Sequence, residues 1–338
     1  MEKWIEELFS EHVLEDAASR YKADAIHAKK LGDFENYVFE VKKNETPYIL
    51  RLTHSSHRSK EEVEAELQWI NYLHEHGVTV SLVHHSENGH LVETIDVKGS
   101  AFYVCLFDKA PGEPVRANDA LSSTVFEKWG QITGKMHRVT KSYKPKGTKR
   151  ARWDEGDLFD FGRYVTNKKD ADIVKAANAL VNQIKQLPES DDVFGLIHSD
   201  IHPGNFFYHE GDIYVFDFDD SSYHYLISDI AIPLYYHIWF HHRNEDVETR
   251  SKRGEDMLVH FLSGYLREHD MSDEWISRIP LFLALRDYEL YAVFHKKWDV
   301  TALDEREAAL LDQIRDRLVR YEPIVELNYN QIIRTVKA

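Results

Sequence analysis

The segment that most restricts how this chain can fold runs Leu196-Ile197-His198-Ser199-Asp200-Ile201-His202-Pro203-Gly204-Asn205-Phe206-Phe207-Tyr208 and resumes at Ile213-Tyr214-Val215-Phe216-Asp217-Phe218-Asp219-Asp220. The apolar runs Phe206 to Tyr208 and Ile213 to Phe216 read as strands, with His209-Glu210-Gly211-Asp212 as the turn between them. A hairpin returns the chain to the place it left, so Asp217 should come back to Asn205. Asp200 sits in the loop just before, where Pro203 fixes and Gly204 frees the backbone.

These residue types suit phosphoryl transfer, which needs a carboxylate to take a hydroxyl proton and hard oxygen ligands for a magnesium ion (Mg2+) bridging nucleotide phosphates. Asp200 can accept the proton, Asn205 can offer a neutral carbonyl oxygen and Asp217 a charged one. Asp200 and Asn205 have four residues between them, the spacing of the catalytic aspartate and metal-binding asparagine in protein kinases.

The rest of the chain supplies a frame for such a site. An amphipathic helix is expected from about Met1 to Arg20, followed by strands over Ala25 to Leu31, Tyr37 to Val41 and Tyr48 to Thr53, with a hairpin turn at Lys43-Asn44-Glu45-Thr46. Val63, Leu67, Trp69, Ile70 and Leu73 recur at helical spacing between Ser59 and Glu75, and Gly77 follows where a helix end favours glycine. Further extended runs, His90 to Thr94 and Ser100 to Phe107, lead to Lys109-Ala110-Pro111-Gly112-Glu113-Pro114. That punctuation divides the chain into an N-terminal lobe, 1–108, a hinge, 109–114, and a C-terminal lobe, 115–338. In the second lobe Ser122 to Val139, Ala171 to Leu187, Asp229 to His242, Glu255 to His269, Trp275 to Lys297 and Ala302 to Tyr321 read as helices, and the basic stretch Lys141 to Arg152 as a mobile loop. A small antiparallel sheet lobe followed by a larger, mostly helical one is an α+β arrangement.

Composition narrows the partners. Forty-three per cent apolar and 30% charged residues describe an ordinary globular chain, and 42 Lys and Arg against 58 Asp and Glu give a formal net charge of -16. That balance opposes general binding to nucleic acid or an anionic membrane and favours a cationic acceptor. No apolar stretch approaches a membrane span. Cys105, the single cysteine, excludes an internal disulfide and lies in an apolar run; the expected setting is a reducing cytoplasm.

The His-Ser-Asp-Ile-His-Pro-Gly-Asn block resembles the signature of the aminoglycoside phosphotransferase and choline kinase family, relatives of protein kinases. The likeness extends over most of the chain. Gly32 to Val41, Tyr48 to Thr53, the helix with Glu66, the Pro111-Gly112 hinge and the Trp129 to His137 helix fall in the expected order, and the Phe-Asp-Phe-Asp-Asp ending with Asp229 further on is similar to bacterial members of uncertain substrate. The resemblance implies a protein-kinase-like two-lobed fold, ATP as co-substrate and Mg2+ as cofactor. It implies that Arg51 stands where protein kinases carry a lysine, gripping nucleotide phosphates and pairing with Glu66, or alternatively Glu62. Gly32 would lie in the phosphate-covering loop, Phe107 and Asp108 beside the adenine, and His198 in a scaffold position.

The acceptor implied is a small hydroxyl-bearing molecule, aminoglycoside-, choline- or homoserine-like. His202 can support the loop or touch it. Asp287 and Tyr291, four apart on a helix, can line its cleft, and Arg286 can bind an acceptor carboxylate. Asp219 or Asp220 can supplement the metal site. Competing readings are a protein Ser/Thr kinase of the stress-response type, a catalytically dead nucleotide-binding module, and a metal hydrolase using His198, Asp200 and His202. The last leaves Asn205, Asp217, Arg51 and the first lobe without a task.

Overall fold

The structure, a computed structural model, describes residues 2–115 and 122–338. The expected helix start at Met1 and the stretch 116–121 of the expected C-terminal lobe lie outside the described residues. In chain order the elements are α1 (Lys3–Glu6), α2 (Glu11–Ser19), β1 (Asp24–Gly32), β2 (Asn36–Lys43), β3 (Thr46–His54), α3 (Lys60–Glu75), β4 (Val83–His84), β5 (Glu93–Val97), β6 (Ser100–Asp108), β7 (Glu113–Pro114) and α4 (Ser123–Thr140). They continue as α5 (Phe161–Tyr164), α6 (Ala171–Ile184), β8 (Phe194–Ile197), β9 (Phe206–His209), β10 (Asp212–Val215), β11 (Ser222–Tyr225), α7 (Ser228–His241), α8 (Val247–Tyr265), α9 (Asp273–Ile276), α10 (Ile279–Lys297), α11 (Glu305–Arg320) and α12 (Tyr329–Lys337).

Two compact units result. The first gathers Met1–Pro114, Ser142–Arg150 and Asn205–Asp219, and the second Val115–Lys141, Ala151–Gly204 and Asp220–Ala338. Two segments that the sequence assigned to the C-terminal lobe thus pack with the first unit. The reasons are local: β7 pairs with β9, Val80 bridges Val215, and Arg150 donates to the carbonyl oxygens of Glu62, at 3.1 Å, and Asp219. Arg150 is buried, and Tyr143 lies against Tyr72 of α3, so the basic stretch expected to be mobile is pinned.

The first unit is built on an antiparallel sheet in the order β1-β2-β3-β6-β4, with β5 on β6. Alternation drives it: Tyr37, Phe39 and Val41 of β2 are buried with Leu50, Leu52, Phe102, Val104 and Leu106 against Ala17, Ala18 and Tyr21. Asn44 and Glu45 both take left-handed φ, 50° and 65°, in the two-residue turn that sets Lys43 opposite Thr46. The expected single first helix is broken, because Ser10 caps a new helix by accepting from the Val13 amide. The strand expected at His90 to Thr94 begins instead at Glu93, whose carboxylate accepts from Ser86 and Asn88 and so fixes a turn before it.

In the second unit α4 and α8 cross closely through Gly130, Gly134 and Gly264; a Cβ on Gly130 would run into the Phe261 carbonyl, and one on Gly264 into that of Glu127. α8 starts at Val247, not Glu255, since Asp246 caps it by accepting from the Thr249 amide at 2.8 Å. The expected helix from Trp275 to Lys297 is two, with Pro280 in the first turn of α10. Among the described residues no helix is long and apolar enough to cross a membrane.

Gly264→Ala should therefore destabilise the protein by about 1–3 kcal/mol through overpacking. Gly32→Ala, where an added Cβ meets nothing within 4 Å, should leave stability unchanged. Urea unfolding of the two variants checks this.

Candidate active site

In the first unit the hairpin forms as the sequence predicts. Val215 pairs with Phe206 and Asp212 with His209, across a two-residue turn in which Glu210 and Gly211 take φ of 49° and 93°. The ladder continues one step further, the Phe216 amide donating to the Asn205 carbonyl at 3.0 Å. Asp217 is the next residue, is exposed, and adopts a left-handed φ of 63°, a costly conformation for a residue other than glycine. Phe218 turns inward, its ring edge-on to Trp69 of α3 at 5.3 Å.

Asn205 and Asp217 fit magnesium. That ion takes one or two protein oxygens and completes its shell with phosphate and water, and here one neutral and one anionic oxygen donor follow from adjacent backbone positions. Among the described residues no group of three or more His, Cys, Asp or Glu side chains can hold a metal without such help.

Arg51 of β3 and Glu66 of α3 form a two-pronged pair, with Nη1 to Oε1 at 2.8 Å and Nη2 to Oε2 at 2.7 Å. They are 4% and 0% exposed. Burial opposes the charge on Arg51, but the Glu66 carboxylate overrides it and holds the guanidinium pKa well above its ordinary value. The alternative partner, Glu62, is occupied otherwise: it closes the capping box of α3, accepting from the Ser59 amide at 2.8 Å. Phe107 lies under the Arg51 guanidinium at 5.2 Å. Asp108 gives its amide to the Leu82 carbonyl and accepts from His84 at 2.6 Å, so its amide is not open to a base. Gly32 ends β1 in open space without positive φ, and nothing local demands glycine there.

Asp219 is engaged by side chains of its own unit. It is buried, His57 Nε2 lies 2.6 Å from Oδ2, and Arg58 Nη2 and Arg150 donate to its carbonyl. Burial would raise its pKa, but His57 and the Arg58 and Arg51 charges hold it far below the usual carboxylate range. Its task in the first unit is to tie the β3–α3 connection to the end of the hairpin.

The second unit carries Asp200. β8 pairs with β11, Ile197 opposite Ser222, and delivers the chain into His198. The buried carboxylate of Asp229, in the first turn of α7, accepts the His198 amide at 2.9 Å and the Ser199 amide at 2.8 Å, and faces His137 Nε2 at 3.2 Å. Ser199 is held at φ 68°, and the His198 Nδ1 accepts from the Asp200 amide at 3.3 Å. His198 is thus buried within the loop, which leaves no convergence with His202 on a hydrolytic metal.

Asp200 itself pairs with Arg286 through Oδ1 and lies 3.3 Å from His202 Nε2 through Oδ2. Because the Gly204 amide donates to His202 Nδ1 at 2.9 Å, a neutral His202 carries its proton on Nε2, facing Asp200. Burial pushes the Asp200 pKa up, yet His202 and Arg286 outweigh it and keep the carboxylate below its ordinary value. Arg286 also donates to Tyr236 at 2.6 Å and to Glu289 at 3.0 Å. Burial raises the Glu289 pKa against the pull of Arg286.

Asp287 and Tyr291 do not line a cleft with Arg286. They are 4% and 2% exposed; Asp287 pairs with Arg317 and accepts from Tyr235 at 2.7 Å. Neighbours on a helix point about 100° apart, so α10 turns Arg286 and Glu289 toward Asp200 and Asp287 into the core. The sequence reading missed Tyr236, Glu289, His137 and the role of Asp229. Glu289 had a signal, its spacing of three from Arg286.

A small-molecule kinase is the class that this fold and these residues define, and the chain belongs to the phosphotransferase enzyme family, whose model matches residues 28–271. Amicoumacin kinase of Bacillus subtilis (strain 168) is 34% identical over 335 residues, 98% of each chain. A solved structure of amicoumacin kinase hAmiN with AMP-PNP, Ca2+ and Ami superposes with a TM-score of 0.92 at 35% identity, covering 98% of this chain and 100% of that one. The microcompartment-associated aminopropanol kinase shares the fold, with a TM-score of 0.74 at 20% identity over 92% and 98% of the two chains. The fold is α+β and protein-kinase-like. The enzyme is an ATP-dependent phosphotransferase with an alcohol group as acceptor.

Arg51→Met strands the Glu66 carboxylate in the core and should cost about 3–5 kcal/mol of stability, read by urea unfolding. Asp219 has a depressed folded pKa, so its stabilisation is present above the ordinary carboxylate range and is lost as pH falls through the folded value. Asp219→Asn should be clearly less stable than the parent at neutral pH, and the gap should narrow on acidification in parallel melts.

Proposed function

We propose that this enzyme transfers the ATP γ-phosphate to a hydroxyl of amicoumacin or a close structural analogue. The observation that carries the reading is 34% identity spread over 98% of both this chain and amicoumacin kinase, rather than confined to the nucleotide-handling segments that the wider family shares.

In this reading Arg51, held straight by Glu66, grips the nucleotide phosphates, and its permanent planar charge does the work of a lysine. Asn205 and Asp217 hold magnesium, which neutralises charge on the phosphates when bound. The adenine lies against Phe107 and takes its backbone contacts from the 109–114 hinge, past the engaged Asp108 amide. Asp200 accepts the hydroxyl proton on Oδ2, the oxygen turned toward His202, while Arg286 fixes Oδ1. His202 and Arg286 keep that carboxylate ionised at neutral pH, which suits a loose transition state where proton transfer comes late. Arg286 therefore serves the base rather than an acceptor carboxylate. ATP supply and the lone buried cysteine fit a cytoplasmic setting.

The test is ADP release across amicoumacin, aminopropanol, choline, homoserine, an aminoglycoside and a protein substrate. Amicoumacin should give the highest kcat/KM, and Asp200→Asn should lower its turnover by roughly 10²–10⁴-fold. The acid limb of the parent's pH profile should lie below the ordinary carboxylate range. Full turnover in Asp200→Asn, or a different preferred acceptor, would overturn the reading.

A further inference from the structure

α7 is buried along nearly its whole length, yet Phe240, one residue before its end, is 44% exposed. An exposed phenylalanine alone means little. This one is stacked on Tyr236, ring centroids 5.0 Å apart with planes 13° from parallel. His202 meets both rings edge-on, at 4.9 Å from Tyr236 and 5.8 Å from Phe240. Each partner is already tied to Asp200: His202 faces Oδ2, and Tyr236 accepts from the same Arg286 nitrogen that pairs with Oδ1. Phe240 is thus the half-exposed outer member of an aromatic stack whose inner rings lie beside the Asp200 carboxylate.

We infer that Phe240, backed by Tyr236 and His202, is a stacking platform for a planar ring of the acceptor, and that it selects ring-bearing amino alcohols over small aliphatic ones. The inference rests on the reading of Asp200 as the group that activates the acceptor hydroxyl. Two features make the platform effective. Its lower ring is fixed by the Arg286 bond, with the Arg286 guanidinium also 5.0 Å from the Tyr236 ring, so little order is lost on binding. An offset stack on a half-exposed phenylalanine removes apolar area from water on both partners. A small acceptor reaching Asp200 covers none of that face, so the platform discriminates by what lies beyond the reacting hydroxyl.

The test compares aminopropanol with its analogue carrying a phenyl in place of the methyl, so that hydroxyl and amine are shared. Calorimetric binding is measured with AMP-PNP and magnesium present, for the parent, Phe240→Ala, Phe240→Trp and Val319→Ser, the last an exposed apolar residue on α11. The parent should bind the phenyl compound about tenfold or more tightly than the methyl one. Phe240→Ala should abolish that preference, Phe240→Trp should keep it, and Val319→Ser should behave as the parent, with thermal melts showing all four folded. No preference in the parent, or one that survives Phe240→Ala, overturns the inference. ADP release is followed in parallel. A ring preference that depends on Phe240 without phosphorylation of any acceptor would overturn the kinase reading and leave the platform standing.

Discussion

The second unit is organised around one buried carboxylate. Asp229 has no contact with solvent, and it accepts two successive amides, from His198 and Ser199, beside His137. Those amides belong to a bend in which Ser199 takes a left-handed φ that its side chain disfavours. Charged acceptors of this kind make strong hydrogen bonds, and a buried anion without donors is costly. The bend and the carboxylate therefore require one another. The direction in which Asp200 leaves the loop follows from that pairing, and so does the reach of His202 and Arg286 to its two oxygens.

Around Asp200 the charges are arranged to keep the carboxylate ionised and oriented. Arg286 is shared among Asp200, Glu289 and Tyr236, so a single guanidinium serves two carboxyl groups. α7 and α10 reach this by the same device. In each, of two adjacent residues, one faces the site and the other the core: Tyr236 and Arg286 toward Asp200, Tyr235 and Asp287 toward Arg317. The buried Asp287–Arg317 pair fixes the rotation of α10, and with it the aim of Arg286.

Local signals in the sequence predicted much of this. The turns at Asn44-Glu45 and Glu210-Gly211 and the return of Asp217 to Asn205 all depend on neighbours along the chain. The Arg51–Glu66 pair was reachable through the family resemblance, which implied a basic residue on the third strand and a glutamate partner on the next helix, with Glu62 as the alternative. Asp287 and Tyr291 were misread because an i,i+4 spacing says that two residues share a face, not which way the face points; tertiary packing decides that. The partners of Asp219, His57, Arg58 and Arg150, are distant in sequence and left no local signal. Asp229 and Tyr236 carried no short-range signal of their contacts with the Asp200 loop.

The central claim assigns Asn205 and Asp217 to the metal and Asp200 to the proton. Calorimetric titration of ATP in the presence of magnesium separates the two most directly, because it reads metal-dependent nucleotide binding without chemistry. The account predicts that Asp200→Asn binds as the parent does, whereas Asp217→Asn loses the part of the affinity that depends on magnesium. Binding of equal strength and equal metal dependence in Asp217→Asn and the parent would contradict it.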